Sequence, residues 1–126
     1  DRPEFASRQR FPEARNVLVP ESLDACLSGL DIGPQASLVI VTRGHLHDQN
    51  VLAQALRTQA GYIGMIGSLR KRGAVYANLL KEGFSEKDLA RVHCPIGLPI
   101  GAETPEEIAV SIVAELVQDR ARRQGR

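Results

Sequence analysis

Three short stretches carry the side chains best suited to chemistry. The first is Thr42-Arg43-Gly44-His45-Leu46-His47-Asp48, two histidines at i and i+2 beside an arginine and a carboxylate. Histidines so spaced can meet one ion from extended backbone, but the neighbouring residues do not supply the further ligands of a closed site, and no metal centre is expected. The pair can instead hydrogen-bond a ligand, move a proton near neutral pH, or serve structure alone. Asp48 has the simpler task of capping a following helix. The second stretch is Gly64-Met65-Ile66-Gly67-Ser68-Leu69-Arg70-Lys71. A glycine turn that opens a helix offers bare amides, and with Arg70 and Lys71 alongside it can seat a phosphate or another oxyanion. Equally, the glycines can serve a tight turn and Ser68 an ordinary N-cap. The third stretch runs from Cys94-Pro95-Ile96-Gly97-Leu98 to Pro99-Ile100-Gly101-Ala102-Glu103. Cys94 is either a reactive thiol or a small buried apolar residue. No nucleophile elbow and no Cys–His pair of a known hydrolase class accompanies it.

Each stretch follows an apolar run that reads as a strand. Leu38-Val39-Ile40-Val41 is the continuous apolar type expected for a strand buried on both faces. Tyr62-Ile63-Gly64-Met65-Ile66 and a short run near Val92-His93-Cys94 follow it, and Asn16-Val17-Leu18-Val19 precedes it. Helices are predicted between them: about Glu21–Leu30; one with Val51, Leu52, Ala55 and Leu56 at helical spacing, ended by Gly61 at C′; and about Ser68–Glu82 with Val75, Tyr76, Leu79 and Leu80 inward and Gly83 as the stop. Ser85-Glu86-Lys87-Asp88 reads as the capping-box start of one short helix. The last helix has Thr104 at N-cap, Pro105 at N1 and Glu107 at N3. Its Ile108, Ile112 and Leu116 point to the core, and Arg120, Arg122 and Arg123 complement the C-terminal dipole. Strands alternating with helices imply parallel pairing and right-handed crossovers. The fold class is therefore α/β, a Rossmann-like, mostly parallel sheet with helices on both faces, in a single domain over 1–126. In such a sheet ligands bind beyond the carboxyl ends of the strands, where the three stretches would converge on one crevice.

Composition narrows the partners. Sixteen basic residues stand against fifteen acidic ones among 126, a net charge of +1, which offers no electrostatic case for nucleic acid or a membrane surface. The apolar runs are far too short to span a bilayer. Two cysteines, Cys26 and Cys94, make neither a disulfide framework nor a four-cysteine zinc site and suit a reducing, cytoplasmic setting. The abrupt start on Asp1-Arg2-Pro3 is expected of a piece of something longer.

The chain resembles the XdhC/CoxF family in several motifs, in order. They are Asp1-Arg2-Pro3-Glu4-Phe5-Ala6, Arg10-Phe11-Pro12, Thr42-Arg43-Gly44-His45 with His47-Asp48, Tyr62-Ile63-Gly64-Met65-Ile66-Gly67-Ser68, and Pro95-Ile96-Gly97-Leu98 leading to Gly101-Ala102-Glu103-Thr104-Pro105-Glu106-Glu107-Ile108-Ala109. The resemblance covers essentially the whole chain and corresponds to the family's C-terminal, Rossmann-like domain. It implies a non-enzymatic maturation factor that binds the molybdenum cofactor, as molybdopterin or its dinucleotide form. Such a factor shelters the cofactor while a sulfurtransferase installs its terminal sulfur and passes it to an apo molybdenum hydroxylase such as xanthine dehydrogenase. It assigns cofactor binding to Thr42, Arg43, Gly44, His45, His47, Asp48, Gly64, Gly67, Ser68, Arg70, Pro95, Gly97, Gly101 and Glu103, with no catalytic residue. Asp1 matches the acidic position where a Rossmann domain often holds a ribose. The alternative is an NAD(P)-binding oxidoreductase domain, which rests on the fold alone.

The family's first strand and glycine-rich turn have no counterpart here. In the usual strand order 3-2-1-4-5-6, a gap would then separate Val17–Val19 from Leu38–Val41. An apolar strand edge left open in this way is prone to pair with another chain, so a homo-oligomer is expected.

Overall fold

The computed structural model describes residues 2–126. Three parallel strands form one sheet in the order β1 (Ser37–Ile40), β2 (Tyr62–Met65) and β3 (Val92–His93). Ser37 pairs with Tyr62 and Ile40 with Met65, while Ile63 pairs with Val92. The helices are α1 (His45–Leu56), α2 (Leu69–Lys81), α3 (Glu86–Leu89) and α4 (Pro105–Arg123). The architecture is the Rossmann-like α/β fold, truncated relative to a full domain.

Alternation along the strands sorts the two faces. Leu38, Ile40, Ile63 and Met65 belong to the cluster that also holds Val51, Leu52, Ala55 and Leu56 of α1 and Val75 and Leu79 of α2. Leu52, Ala55, Met65 and Leu79 are fully buried there. Tyr62 and Gly64 point the other way, where the Tyr62 hydroxyl donates to Glu115 of α4 at 2.6 Å. Arg123 of α4 donates to the Pro34 carbonyl at 2.9 Å and to Ser37 Oγ at 3.1 Å.

The caps follow from side-chain chemistry. Ser68, Ser85 and Thr104 each accept from the backbone N–H three residues on in the helix they open, and both Ser85–Asp88 and Thr104–Glu107 close full capping boxes. Gly83, at φ +101°, follows α2 and supplies the left-handed backbone that ends it.

Several expectations are overturned. Asn16–Val19 forms no strand, and the helix expected over Glu21–Leu30 shrinks to one 3-10 turn at Leu23–Ala25. A strand needs a hydrogen-bonded neighbour, and among the described residues β1 is paired on one side only, to β2. The sheet itself is therefore contiguous. Val19 instead lines a groove of about 860 Å³ together with Val39, Ile40 and Val41. Leu38–Val41 is not buried on both faces, since Val39 and Val41 are exposed at the open edge. Asp48 is not an N-cap. Gly44, at φ +112°, opens α1 and places Asp48 in its first turn, fully buried. Gly61 is not at C′ either, because α1 stops at Leu56. The Arg91 guanidinium collects the carbonyls of Leu56, Thr58 and Ala60 at 3.1 Å each, doing for these acceptors what a terminal glycine turn would do. Gly61 is required by proximity, since a Cβ there would run into the Pro34 carbonyl and the Arg123 side chain. In α4, Ile108, Ile112 and Leu116 are only half-buried, because the face they approach is a narrow three-stranded sheet. Leu80 of α2 likewise lies at the surface.

Candidate functional site

Parallel pairing brings the ends of β1 and β2 side by side, and one carboxylate ties them. Asp48 Oδ1 accepts from the Thr42 amide at 3.1 Å and from the Thr42 hydroxyl, while Oδ2 accepts from Lys71 Nζ. Lys71 Nζ also donates to the Ile66 carbonyl at 3.1 Å. The loop after β1, the loop after β2 and the first turns of α1 and α2 thus share one buried ion pair. The third end is joined by Arg72, which donates to the Cys94 carbonyl at 2.9 Å. The Cys94 thiol lies 3.9 Å from the Gly67 carbonyl.

This geometry redistributes the roles read from the sequence. Lys71 spends its charge inward on Asp48, and its stem fills the space above Gly67, whose φ is +144°. Ser68 accepts from the Lys71 amide at 3.2 Å as an N-cap. Arg70 remains exposed at the turn, beside the opening amides of α2. Thr42, Asp48, Gly67 and Ser68 come together along this edge, with Arg43, Gly44, His45 and His47 exposed on the adjoining turn. Gly64 lies within β2, where its missing side chain makes room for Ile96 and the Tyr62 hydroxyl. Gly97, at φ +101°, packs on Ser111 of α4, and its amide donates to Glu115 at 3.3 Å. Pro95, Gly101 and Glu103 are exposed, and the Glu103 amide donates to Glu107 at 2.8 Å as part of the approach to α4. Asp1 lies outside the described residues.

Burial raises the Cys94 thiol above its ordinary value, against the lowering influence of Arg72 and Lys71. A thiol held protonated is a poor nucleophile at neutral pH. Burial also pushes Tyr76 up to about 12. Among the described residues, no group of three or more His, Cys, Asp or Glu side chains is gathered as a metal site would require. No described helix is long and apolar enough to cross a membrane.

Sequence reasoning missed two clusters. The Asp48–Lys71 pair joins residues far apart in the chain. The clue was that Asp48, Leu52 and Ala55 fall at i, i+4 and i+7, so the carboxylate belongs to the buried stripe. The second cluster is Tyr62, His93 and Glu115: the two rings stack at 4.6 Å and His93 Nδ1 lies 3.6 Å from the carboxylate. Nothing local in the sequence marks it.

A family model described as the XdhC Rossmann domain matches residues 1–116. The uncharacterized protein YqeB of Escherichia coli K12 is 35% identical over 115 residues, which are 91% of this chain and 21% of that protein. A protein of Bacillus subtilis described as a probable xanthine dehydrogenase subunit is 36% identical over 124 residues, 96% of this chain and 34% of that one. A crystal structure of a xanthine dehydrogenase from Bacillus halodurans superposes with a TM-score of 0.77 at 32% identity, over 97% of this chain and 34% of the other. The chain thus spans about a fifth to a third of the relatives it matches.

Proposed function

The chain belongs to the XdhC family, as its Rossmann domain, and from that premise we propose that it binds the molybdenum cofactor at the C-terminal edge of its sheet. The cofactor is cargo, held as molybdopterin or its dinucleotide, sheltered during sulfuration by a sulfurtransferase and handed to an apo molybdenum hydroxylase. The carrying observation is the turn from Gly67 into α2, where Arg70 is exposed beside the opening amides. Amides at a helix start and a guanidinium together suit an anionic phosphate. Because Lys71 is committed to Asp48, Arg70 is the cation left for the ligand at this turn. Arg43, Gly44, His45 and His47 would line the cofactor's flank as hydrogen-bond donors, beside Thr42, whose own donors are held by Asp48. Cys94, buried and protonated, is assigned no part in sulfur transfer.

The test is incubation with isolated cofactor, then gel filtration with pterin and molybdenum analysis of the protein peak. Arg70→Ala removes a charge-assisted contact worth about 1.5–3 kcal/mol, so affinity should fall about tenfold or more. Unchanged binding in that variant would move the phosphate elsewhere. Binding of NADPH in place of the cofactor would favour the oxidoreductase alternative.

A further inference from the structure

The helix α4 has a second face that the sheet does not use. Ser111 is buried and Glu115 reaches the strands. On the opposite side Val110, Val113 and Val117 leave 61, 57 and 47% of their surface in water. Spaced by three and four residues, the valines form one continuous stripe along the helix. Valine is a mediocre helix former, so three of them in line at the surface are not explained by the helix itself. Exposed Glu106 and Arg120 extend the stripe at its two ends. Glu106 stands two helical turns before Val113, and Arg120 two turns after it. Among the described residues, neither has an ion-pair partner.

The two halves of the stripe differ in shape and in charge. The C-terminal half borders a concavity of about 760 Å³, with Val113, Leu116, Val117 and Arg120 on the helix side and Pro34 and Ser37 across it. Val110, in the N-terminal half, is the most exposed of the three valines and takes no part in that hollow. Glu103, Glu106 and Glu107, all exposed, make this half acidic. A hollow beside a cation and a ridge beside a carboxylate, on one helix, are complementary to each other. Two copies related by a two-fold axis at Val113 would lay their α4 helices antiparallel. Val110 of each copy then enters the hollow beside Val117 of the other, and the Glu106–Arg120 contact forms twice. Parallel pairing would instead set Glu106 against Glu106 and Arg120 against Arg120.

We infer that this face of α4 is a self-association surface, covered by a second copy of the chain as an antiparallel helix pair centred on Val113. An interface one helix wide belongs to the small class, below about 1,200 Å² in total. The dimer is therefore weak, forming above roughly 10 μM and separating on dilution, which returns the valines to water.

Sedimentation equilibrium of the chain at concentrations from low to high micromolar tests this, with circular dichroism as the check on folding. The parent should pass reversibly from monomer to dimer. Val113→Glu, a change at an exposed position, sets two carboxylates against each other at the axis and should weaken the dimer at least tenfold. Glu106→Arg and Arg120→Glu should each weaken it about fivefold, because each change places like charges together twice. The double variant restores opposite charges across the pair and should return to within about twofold of the parent. Any harm to the helix dipole is greatest in that double variant, so recovery there reports pairing and not helix stability. A chain that stays monomeric at high micromolar concentration would overturn the inference. So would single charge reversals that the double variant fails to rescue. A dimer that survives Val113→Glu and is lost in Val39→Glu would place the contact at the open edge of β1 and overturn it too.

Discussion

On one face of the sheet, Ile40, Ile63 and Met65 pack against Leu52, Ala55, Val75 and Leu79, with almost no solvent access to any of them. On the other face, the stacked rings of Tyr62 and His93 meet the Glu115 carboxylate of α4, while Gly97 and Gly61 lie where a side chain would collide with Ser111 and Arg123 of that helix. The same strands build both faces, so the difference lies in what covers them. Two helices with small and branched residues close the first face by volume. A single helix that keeps Val110, Val113 and Val117 toward solvent holds the second by direction, through Glu115 and Arg123. The first arrangement is sensitive to lost volume and unpaired charge, the second to lost hydrogen bonds.

The largest effect is expected where the dry face carries its one ion pair. Lys71→Met leaves the Asp48 carboxylate buried with only the Thr42 donors, and breaking such a pair costs about 3–5 kcal/mol. Asp48→Asn with Lys71→Met removes the stranded charge while keeping an acceptor for Thr42, and should recover more than half of the loss. Urea midpoints at constant slope measure both. A single variant as stable as the parent would mean that water reaches Asp48, and the contrast between the faces would weaken.

Next comes volume. Leu52→Ala should cost about 2–5 kcal/mol, as expected for a large-to-small change at a site with no room to collapse. Val113→Ala on the outward side of α4, where 57% of the residue is exposed, should stay within about 0.5 kcal/mol. Similar losses at the two positions would show that α4 is covered by something else in solution.

The directional face is probed by Tyr62→Phe, which keeps the ring against His93 and leaves Glu115 short of a donor, a loss of about 1–3 kcal/mol. Burial, and then the bond to Glu115, raise the Tyr62 hydroxyl well above an ordinary phenol. A raised folded-state value contributes stability that is fully present below the unfolded value, near 10, and is lost as pH rises above it. The parent should therefore lose stability more steeply than Tyr62→Phe above pH 10. Parallel alkaline profiles would remove Tyr62 from the account.

How far sequence predicts this molecule depends on range. Elements whose signals are local are legible to within a residue or two: α2 from its inner Val75 and Leu79, α3 and α4 from their caps, β2 from an apolar run between glycines. The order of the sheet and the edge where candidate ligand residues gather follow from strand–helix alternation. Features that depend on a distant partner are not legible. Val17–Val19 has strand composition, but no neighbouring backbone receives it. Gly61 has the composition of a helix stop, but Arg91 performs the capping from 31 to 35 residues away. Lys71 reads as a ligand cation because nothing near it in sequence shows that Asp48 turns inward to take its charge. Within the candidate site, residue types are legible and their division of labour is not.

Apart from the near-neutral Val113→Ala, the smallest effect is expected at the best-marked local feature. Thr104 accepts from the Glu107 amide at 3.1 Å, and Glu107 accepts from the amides of Glu103 and Thr104 at 2.8 and 3.2 Å. Thr104→Ala should cost about 1 kcal/mol, the usual worth of such a cap. Those two amides, Glu103 first, hold the Glu107 carboxyl below its ordinary value. A lowered folded-state value gives stability that is present above the unfolded value, near 4.5, and is lost as pH falls through the folded one. Glu107→Gln keeps an acceptor for the same amides but cannot titrate, so its stability should fall less steeply than the parent's between neutral pH and pH 3. Asp88, lowered first by the Ser85 amide in the same kind of box, titrates in the same direction in both proteins and cancels in the difference. Because the cap stands on the directional face and outside the packed core, its loss should loosen α4 while the α1–α2 side stays closed. Hydrogen exchange should rise at Ile108 and Val110 and remain slow at Leu52 and Leu79. Equal acceleration on both sides would mean that the two faces open as one unit, and the contrast between them would end at packing without reaching stability.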